Sequence, residues 1–279
     1  MNPAGPMAGA RRVGGVPGAL LLVSLLKFAA IALDTVVVAP IAVAVGTADP
    51  DRAYQLCQLW SLAALLACNV RVRARRTAPL DPRQPYVFMA NHRSHFDVLA
   101  VVEALHEFQL RWVAKRELTR VPIFGWALQR LDHVIIDRSD HAAAVASIRA
   151  AREKMMRGVS VTIFPEGTRA PSDAALLPFK KGGFMLAVET GLPIVPIAVR
   201  GSRRILARGE WQVRAGEIEV IVGPPFPTVG VDRDRLVADV RAWIEQHACD
   251  PPPAVRAETP VTISFHPPAA PPLATGEPR

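Results

Sequence analysis

The chain has 279 residues, half of them hydrophobic, with three cysteines and a formal net charge of +8. That length accommodates one catalytic-sized domain with shorter appended segments, and such a domain buries a full core without disulfides. Cys57, Cys68 and Cys249 have no metal-ligand spacing and stand beside no motif, which argues for a reducing compartment and against a thiol nucleophile; the positive charge favours anionic partners, and with apolar segments nearby and no basic stripe interleaved with aromatics an anionic membrane fits better than nucleic acid, a soluble basic surface being the plain reading.

Residues 18–46 are almost wholly apolar, broken by Lys27 and Asp34, and residues 53–70 form a second apolar run without a charge. Thr47-Ala48-Asp49-Pro50-Asp51-Arg52 between them reads as a turn. Arg11 and Arg12 precede the first run, and Arg71, Arg73, Arg75 and Arg76 follow the second. This pattern predicts an N-terminal membrane hairpin of two helices with both basic ends in the cytoplasm. A full crossing needs about 20 apolar residues, so the second run is at the short limit, and Asp34 and Pro40 weaken the first. A re-entrant or interfacial hairpin is the alternative, and two buried core helices are a third reading. A cleaved signal peptide fits poorly, because Lys27 cuts its apolar core short and another apolar run follows.

Arg76 to Gln84 form a polar, proline-containing linker, after which strand and helix patterns alternate from Tyr86 to Ala248. Strands are expected at Tyr86–Ala90, Leu110–Ala114, His133–Asp137, Val159–Phe164, Ile194–Val199 and Glu217–Gly223. Helices are expected at Phe96–Phe108, Ile123–Arg130, Ala142–Met156, Phe184–Thr190 and Asp234–His247. Strands such as Ile194–Val199 are apolar on both faces, as when helices cover a sheet from two sides. The fold class is therefore α/β, with a mixed, mainly parallel sheet covered by helices. From Asp250 the prolines of Pro251-Pro252-Pro253, Pro267-Pro268 and Pro271-Pro272 dominate, a composition that builds no core. The expected organisation is a hairpin at 1–76, a catalytic domain at 77–250 and a disordered tail at 251–279.

Two polar motifs leave strand-like runs. The first, Asn91-His92-Arg93-Ser94-His95-Phe96-Asp97, follows Tyr86–Ala90. His92 and Asp97 would stand about 140° apart in one regular helix, so they meet only if His92 precedes the helix and Asp97 lies in its first turns. Asp97 then accepts a hydrogen bond from one ring nitrogen, and the other is free to take a proton from a hydroxyl. Taken alone, a His near an Asp is more often a cap or a surface hydrogen bond. Ser94 caps the helix or, less in keeping with its surroundings, serves as a nucleophile; it lacks the glycines of a hydrolase elbow. His95 reads as a neighbour without a chemical role.

The second motif, Phe164-Pro165-Glu166-Gly167-Thr168-Arg169, follows Val159–Ile163. Arg169 can grip a phosphate with two parallel hydrogen bonds, Gly167 permits close backbone approach and Thr168 offers a hydroxyl. Glu166 repels phosphate and would orient Arg169 or another cation. The plain reading is a surface turn with a local ion pair.

In this order the motifs resemble the glycerolipid acyltransferase family, specifically the 1-acyl-sn-glycerol-3-phosphate acyltransferases. Asn91, His92, Ser94 and Asp97 match the family's NHxSxxD block, and Phe164 to Arg169 match FPEGTR in full. The second block is looser: Lys115, Glu117, Leu118, Pro122 and Gly125 match its start, and Ile136-Asp137-Arg138 its end, with Leu131-Asp132 where many members carry glycine. Leu192 to Ile197 resemble the fourth block, and Phe179-Lys180-Lys181-Gly182 the stretch after EGTR. Ala170 replaces a common serine, a change that bears on substrate contacts. The resemblance covers roughly residues 86–199.

It implies the glycerolipid acyltransferase fold and direct transfer of an acyl chain from acyl-CoA or acyl carrier protein to a lysophospholipid hydroxyl. His92 would be the base and Asp97 its orienter, with no cofactor and no metal. It implies acceptor binding by Glu166, Gly167, Thr168, Arg169 and Arg138, with Lys115 a weaker candidate. The expected product is phosphatidic acid, the expected partners are membrane lipids, the lysophospholipid and the acyl donor, and the expected place is the cytoplasmic face of the cell membrane. Rival readings are an acyltransferase for another lysolipid such as lyso-ornithine lipid, a lipid hydrolase using Ser94, and a non-catalytic lipid-binding protein.

Overall fold

The computed structural model describes residues 18–136 and 150–249. The expected tail at 251–279, Arg138 and the start of the helix expected at Ala142–Met156 lie outside them; residues 150–155 are helical.

Helix α1 spans Gly18–Gly46 and α2 spans Pro50–Ala67. Asp49 caps α2, its Oδ1 accepting the backbone N–H of Asp51 and Arg52 at 3.0 Å each, and Pro50 starts the helix where no donor is lost. The hairpin is present, but its arms differ. Among the described residues α1 is the helix long and apolar enough to cross a membrane, by length and composition, and Leu22, Leu26, Leu33, Val36 and Ile41 are exposed on it. In contrast, α2 buries Ala53, Tyr54, Ser61, Ala64 and Leu65.

Seven strands form one sheet: β1 (Val70–Arg76), β2 (Val87–Ala90), β3 (Leu110–Lys115), β4 (Val134–Ile136), β5 (Ser160–Ile163), β6 (Ile194–Arg200) and β7 (Gly216–Val222). Their order is β1-β7-β6-β2-β5-β3-β4. All neighbours run parallel except β6 and β7. The residues after the second apolar run, expected as a basic flank, are thus strand β1, and the sheet begins before residue 77. Arginines on β1 meet acids on β7, Arg73 with Glu217 at 2.7 Å and Arg75 with Glu219 at 3.1 Å.

Further helices are α3 (Phe96–Ala104), α4 (Phe124–Arg130), α5 (Gly182–Thr190), α6 (Ser202–Ile205) and α7 (Arg233–Cys249). Alternation along β2 divides the core. Phe88 and Ala90 pack with Leu99, Val101 and Val102 of α3 and Tyr54 and Leu65 of α2. Val87 and Met89 pack with Phe184 and Leu186 of α5 and Leu236, Val240 and Ile244 of α7. Helices therefore cover both faces of the sheet, as its doubly apolar strands require. The second arm of the hairpin belongs to one of these layers, and Ser61 Oγ donates to Leu99 O of α3 at 3.0 Å.

Candidate active site

β2 and β5 are parallel neighbours that release their loops at the same edge of the sheet, a common place for ligand sites in open α/β folds. Met89 pairs with Ile163. The same offset of 74 residues sets His92 against Glu166, whose Oε1 accepts the His92 backbone N–H at 2.8 Å. Asn91 extends the β2–β6 ladder with its side chain, donating to Val199 O at 2.9 Å and accepting Val199 N–H at 2.7 Å.

The required His–Asp geometry is present. His92 precedes α3 and Asp97 lies in its first turn, with His92 Nδ1 2.8 Å from Asp97 Oδ2. That oxygen also accepts the backbone N–H of Arg93 at 2.6 Å and Ser94 at 2.8 Å. With the ring neutral and Nδ1 protonated, Nε2 keeps its lone pair. Phe164 stacks on the imidazole at 4.0 Å and 12°, and Trp112 stacks behind Phe164 at 5.3 Å. One edge of the ring is thus held by the carboxylate and one face by an aromatic pair.

Ser94 is fully buried. Its Oγ donates to Leu206 O at 2.7 Å and accepts Phe96 N–H at 3.2 Å, the bond of a helix start. His95 is exposed; desolvation of its ring, then the neighbouring Arg169 and His92, push its pKa down to about 4. It is therefore neutral at pH 7.

Glu166 departs from expectation. Its carboxylate is buried and hydrogen-bonds main chain rather than Arg169: Oε1 takes His92 N–H, and Oε2 takes Leu177 N–H at 2.8 Å. Burial raises its pKa, while those two N–H groups and the charge of Arg93 oppose the rise. Ala170 also departs from expectation. Its N–H donates to His92 O at 2.7 Å, and its side chain is buried. Glu166 and the residue after the motif, Ala170, therefore hold the main chain of His92 at its N–H and at its C=O. Gly167 makes the turn between these contacts at φ +72°, a conformation that suits glycine.

Thr168 is exposed and Arg169 half-buried. Among the described residues Arg169 forms no ion pair, and burial, then the nearby Arg208, lowers its pKa. Lys115 ends β3, one strand beyond β5. Arg138 and the Lys115 side chain lie outside the described residues. Sequence reasoning overlooked Arg93, whose guanidinium is buried behind the motif and donates to Ala248 O at the end of α7 and to Asp173 O, both at 3.0 Å. It also overlooked Phe164 as the stacking partner; a ring beside a motif carries no signal of what it will face.

At the mouth of a mainly parallel sheet, an imidazole held by a carboxylate and, on the neighbouring loop, a guanidinium without an ion pair among the described residues define a class of α/β proteins that set a histidine–aspartate pair near a cation. The sequence profile of the Acyltransferase family matches residues 69–200. A 1-acyl-sn-glycerol-3-phosphate acyltransferase of Pseudomonas aeruginosa is 33% identical over 193 residues, which are 67% of this chain and 72% of that protein. The human 1-acyl-sn-glycerol-3-phosphate acyltransferase alpha is 35% identical over 171 residues, 61% of this chain and 60% of the human one. The crystal structure of the acyltransferase PlsC from Thermotoga maritima superposes with a TM-score of 0.70 at 23% identity, covering 82% of this chain and 94% of that one, and supports the fold. The chain belongs to the 1-acyl-sn-glycerol-3-phosphate acyltransferase family. It spans about half the length of some of its relatives, 50% and 46% in two of them.

Proposed function

We propose that this protein transfers an acyl chain from acyl-CoA or acyl carrier protein to the sn-2 hydroxyl of 1-acyl-sn-glycerol 3-phosphate, forming phosphatidic acid. The observation that carries the proposal is the 2.8 Å contact of His92 Nδ1 with Asp97, which leaves Nε2 as the proton acceptor. In this mechanism Nε2 takes the hydroxyl proton as the oxygen attacks the thioester carbonyl. A C–O bond forms, and Asp97 stabilises the imidazolium. The tetrahedral intermediate then breaks its C–S bond, and the departing thiolate recovers the proton from His92. A thioester is activated enough to need neither a metal nor an acyl-enzyme. Arg169 and Thr168, on the loop of Gly167, are assigned to the acceptor phosphate, and the resemblance to the family adds Arg138 and Lys115 to that role, while Glu166 holds the loop and His92 in place. Backbone N–H groups serve the oxyanion.

The exposed leucines and valines of α1 support a seat in the cytoplasmic leaflet, where lysophospholipid is at hand and the soluble donor arrives from the cytosol. A net charge of +8 favours anionic lipid and an acidic carrier protein. The burial of Ser94 Oγ and its bond to Leu206 O weigh against the hydrolase reading.

The test is acyl transfer by purified protein on liposomes, with a panel of lysolipids and both donors. Phosphatidic acid formed from lysophosphatidic acid, with His92→Ala and Asp97→Asn reducing kcat/KM about 10²–10⁴-fold, is the expected result. Transfer only to another lysolipid would overturn the acceptor assignment, and full activity in His92→Ala would overturn the mechanism.

A further inference from the structure

The loop between α6 and β7, residues 206–215, is tied to both the site and α1. Leu206 O accepts Ser94 Oγ at 2.7 Å. Near the loop's other end, Val213 N–H donates to Ser24 Oγ and Val213 O accepts Lys27 Nζ, each at 3.1 Å. Trp211, 73% exposed, meets Phe28 of α1 edge-on at 5.9 Å. Between these anchors Arg208 donates from Nη1 to Arg169 O at 3.1 Å. Two arginines, on loops 39 residues apart, are thus brought together where like charges repel.

Neither has a carboxylate partner among the described residues, and the acids around them are committed. Glu210 pairs with Arg214 at 2.8 Å. Asp173 faces Arg93 at 3.4 Å and Arg203 at 3.6 Å. Glu166 is taken by main-chain N–H groups and Asp97 by His92. Two unpaired cations held together by main-chain and side-chain bonds make a site for a multiply charged anion.

We infer that Arg208 joins Arg169 in binding the phosphate monoester of the acceptor lipid. The assignment rests on the proposed function, and the loop's anchorage selects the acceptor over the donor. The 206–215 loop is bonded to α1, the lipid-facing helix, and Trp211 extends from it with the amphipathic character of a membrane-interface residue. A headgroup in the same leaflet reaches Arg208 from that side, whereas the phosphates of a soluble donor come from the cytosol. Arg208 is a binding residue: it holds the ground state and takes no part in proton transfer.

The experiment compares wild type, Arg208→Ala and Arg208→Lys on vesicles of phosphatidylcholine and phosphatidylglycerol, with lysophosphatidic acid and acyl donor varied separately. Sedimentation with vesicles lacking lysophosphatidic acid corrects for general membrane binding. For Arg208→Ala, acceptor KM is expected to rise about tenfold or more, as for a lost charge-assisted hydrogen bond, with donor KM unchanged and kcat within about twofold. Arg208→Lys, which keeps the charge but loses the fork, should recover part of the loss. A rise in donor KM alone would assign the phosphate to the donor and overturn the inference, as would unchanged constants. Equal falls in kcat with both KM values disturbed would reduce Arg208 to a structural strut. If wild type makes no phosphatidic acid, the proposed function fails; equilibrium binding of lysophosphatidic acid in vesicles by wild type and Arg208→Ala then decides the cradle, with equal affinity overturning it.

Discussion

At the scale of single residues, the site is held as much by main chain as by side chains. His92 is fixed at its ring by Asp97, at its face by Phe164 and at its peptide by Glu166 and Ala170. Glu166 accepts one N–H on each oxygen. Glutamine in its place turns one acceptor into a donor facing an N–H group, and a buried mismatch of that kind costs about 1–3 kcal/mol. Glu166→Gln is therefore expected to lower kcat by about 10- to 100-fold with acceptor KM within a few-fold, read by steady-state kinetics; a large KM change at constant kcat would return Glu166 to the acceptor pocket. The His92–Asp97 pairing was legible because a five-residue step across a strand-to-helix junction has few solutions. The function of Glu166 was not, because an acid beside an arginine in sequence suggests an ion pair, and only the strand register reveals the peptide it meets.

At the scale of elements, strand β1 shows which signals were overlooked. Val70-Arg71-Val72-Arg73-Ala74-Arg75-Arg76 alternates apolar and basic, the pattern of a half-buried strand, yet beside an apolar run its arginines read as a flank. The central strands and most helices were legible from apolar runs and their breakers; pairing order, and the antiparallel β6–β7 step, were not, since they depend on contacts distant in sequence. The β3–β4 edge carries a titration of its own. His133 is buried, and its Nδ1 accepts the Trp112 N–H of β3 at 3.1 Å. Burial, then Arg111 and Lys154, push its pKa from 6.5 down to about 3. Because the folded pKa lies below the unfolded one, the unfolded chain binds a proton in that window that the folded chain refuses, and stability falls as pH drops from 6.5 towards 3. Thermal melts between pH 7 and pH 4 should show a steeper loss for wild type than for His133→Gln, which can still accept the N–H; parallel slopes would remove His133 as the cause.

At the scale of the molecule, the hairpin divides its labour. α2 is bonded into the domain through Ser61 and through Arg111, which holds Asp51 at 2.7 Å, while α1 packs Phe28 and Ile31 inward but leaves Leu22, Leu26, Leu33, Val36 and Ile41 exposed. A rule based on apolar runs sees two similar segments; what separates them is which one finds a partner in the sheet's helical layer. Leu26→Glu with Leu33→Glu should release the protein from vesicles in sedimentation and depress activity on bilayer-borne acceptor, while a short-chain acceptor in solution is still acylated. Retention on vesicles would place the membrane contact elsewhere.

The clamp on His92 also sets an order in biosynthesis. A chain growing from its N-terminus completes α1 first and His92 well before Glu166, Ala170 and Leu177 exist. The main chain of His92 therefore lacks its Glu166 and Ala170 contacts until the strand that carries the second motif has been made and has docked beside β2. Helix α1 is thus complete before the contacts that hold His92 can form, so assembly of the site is the later event.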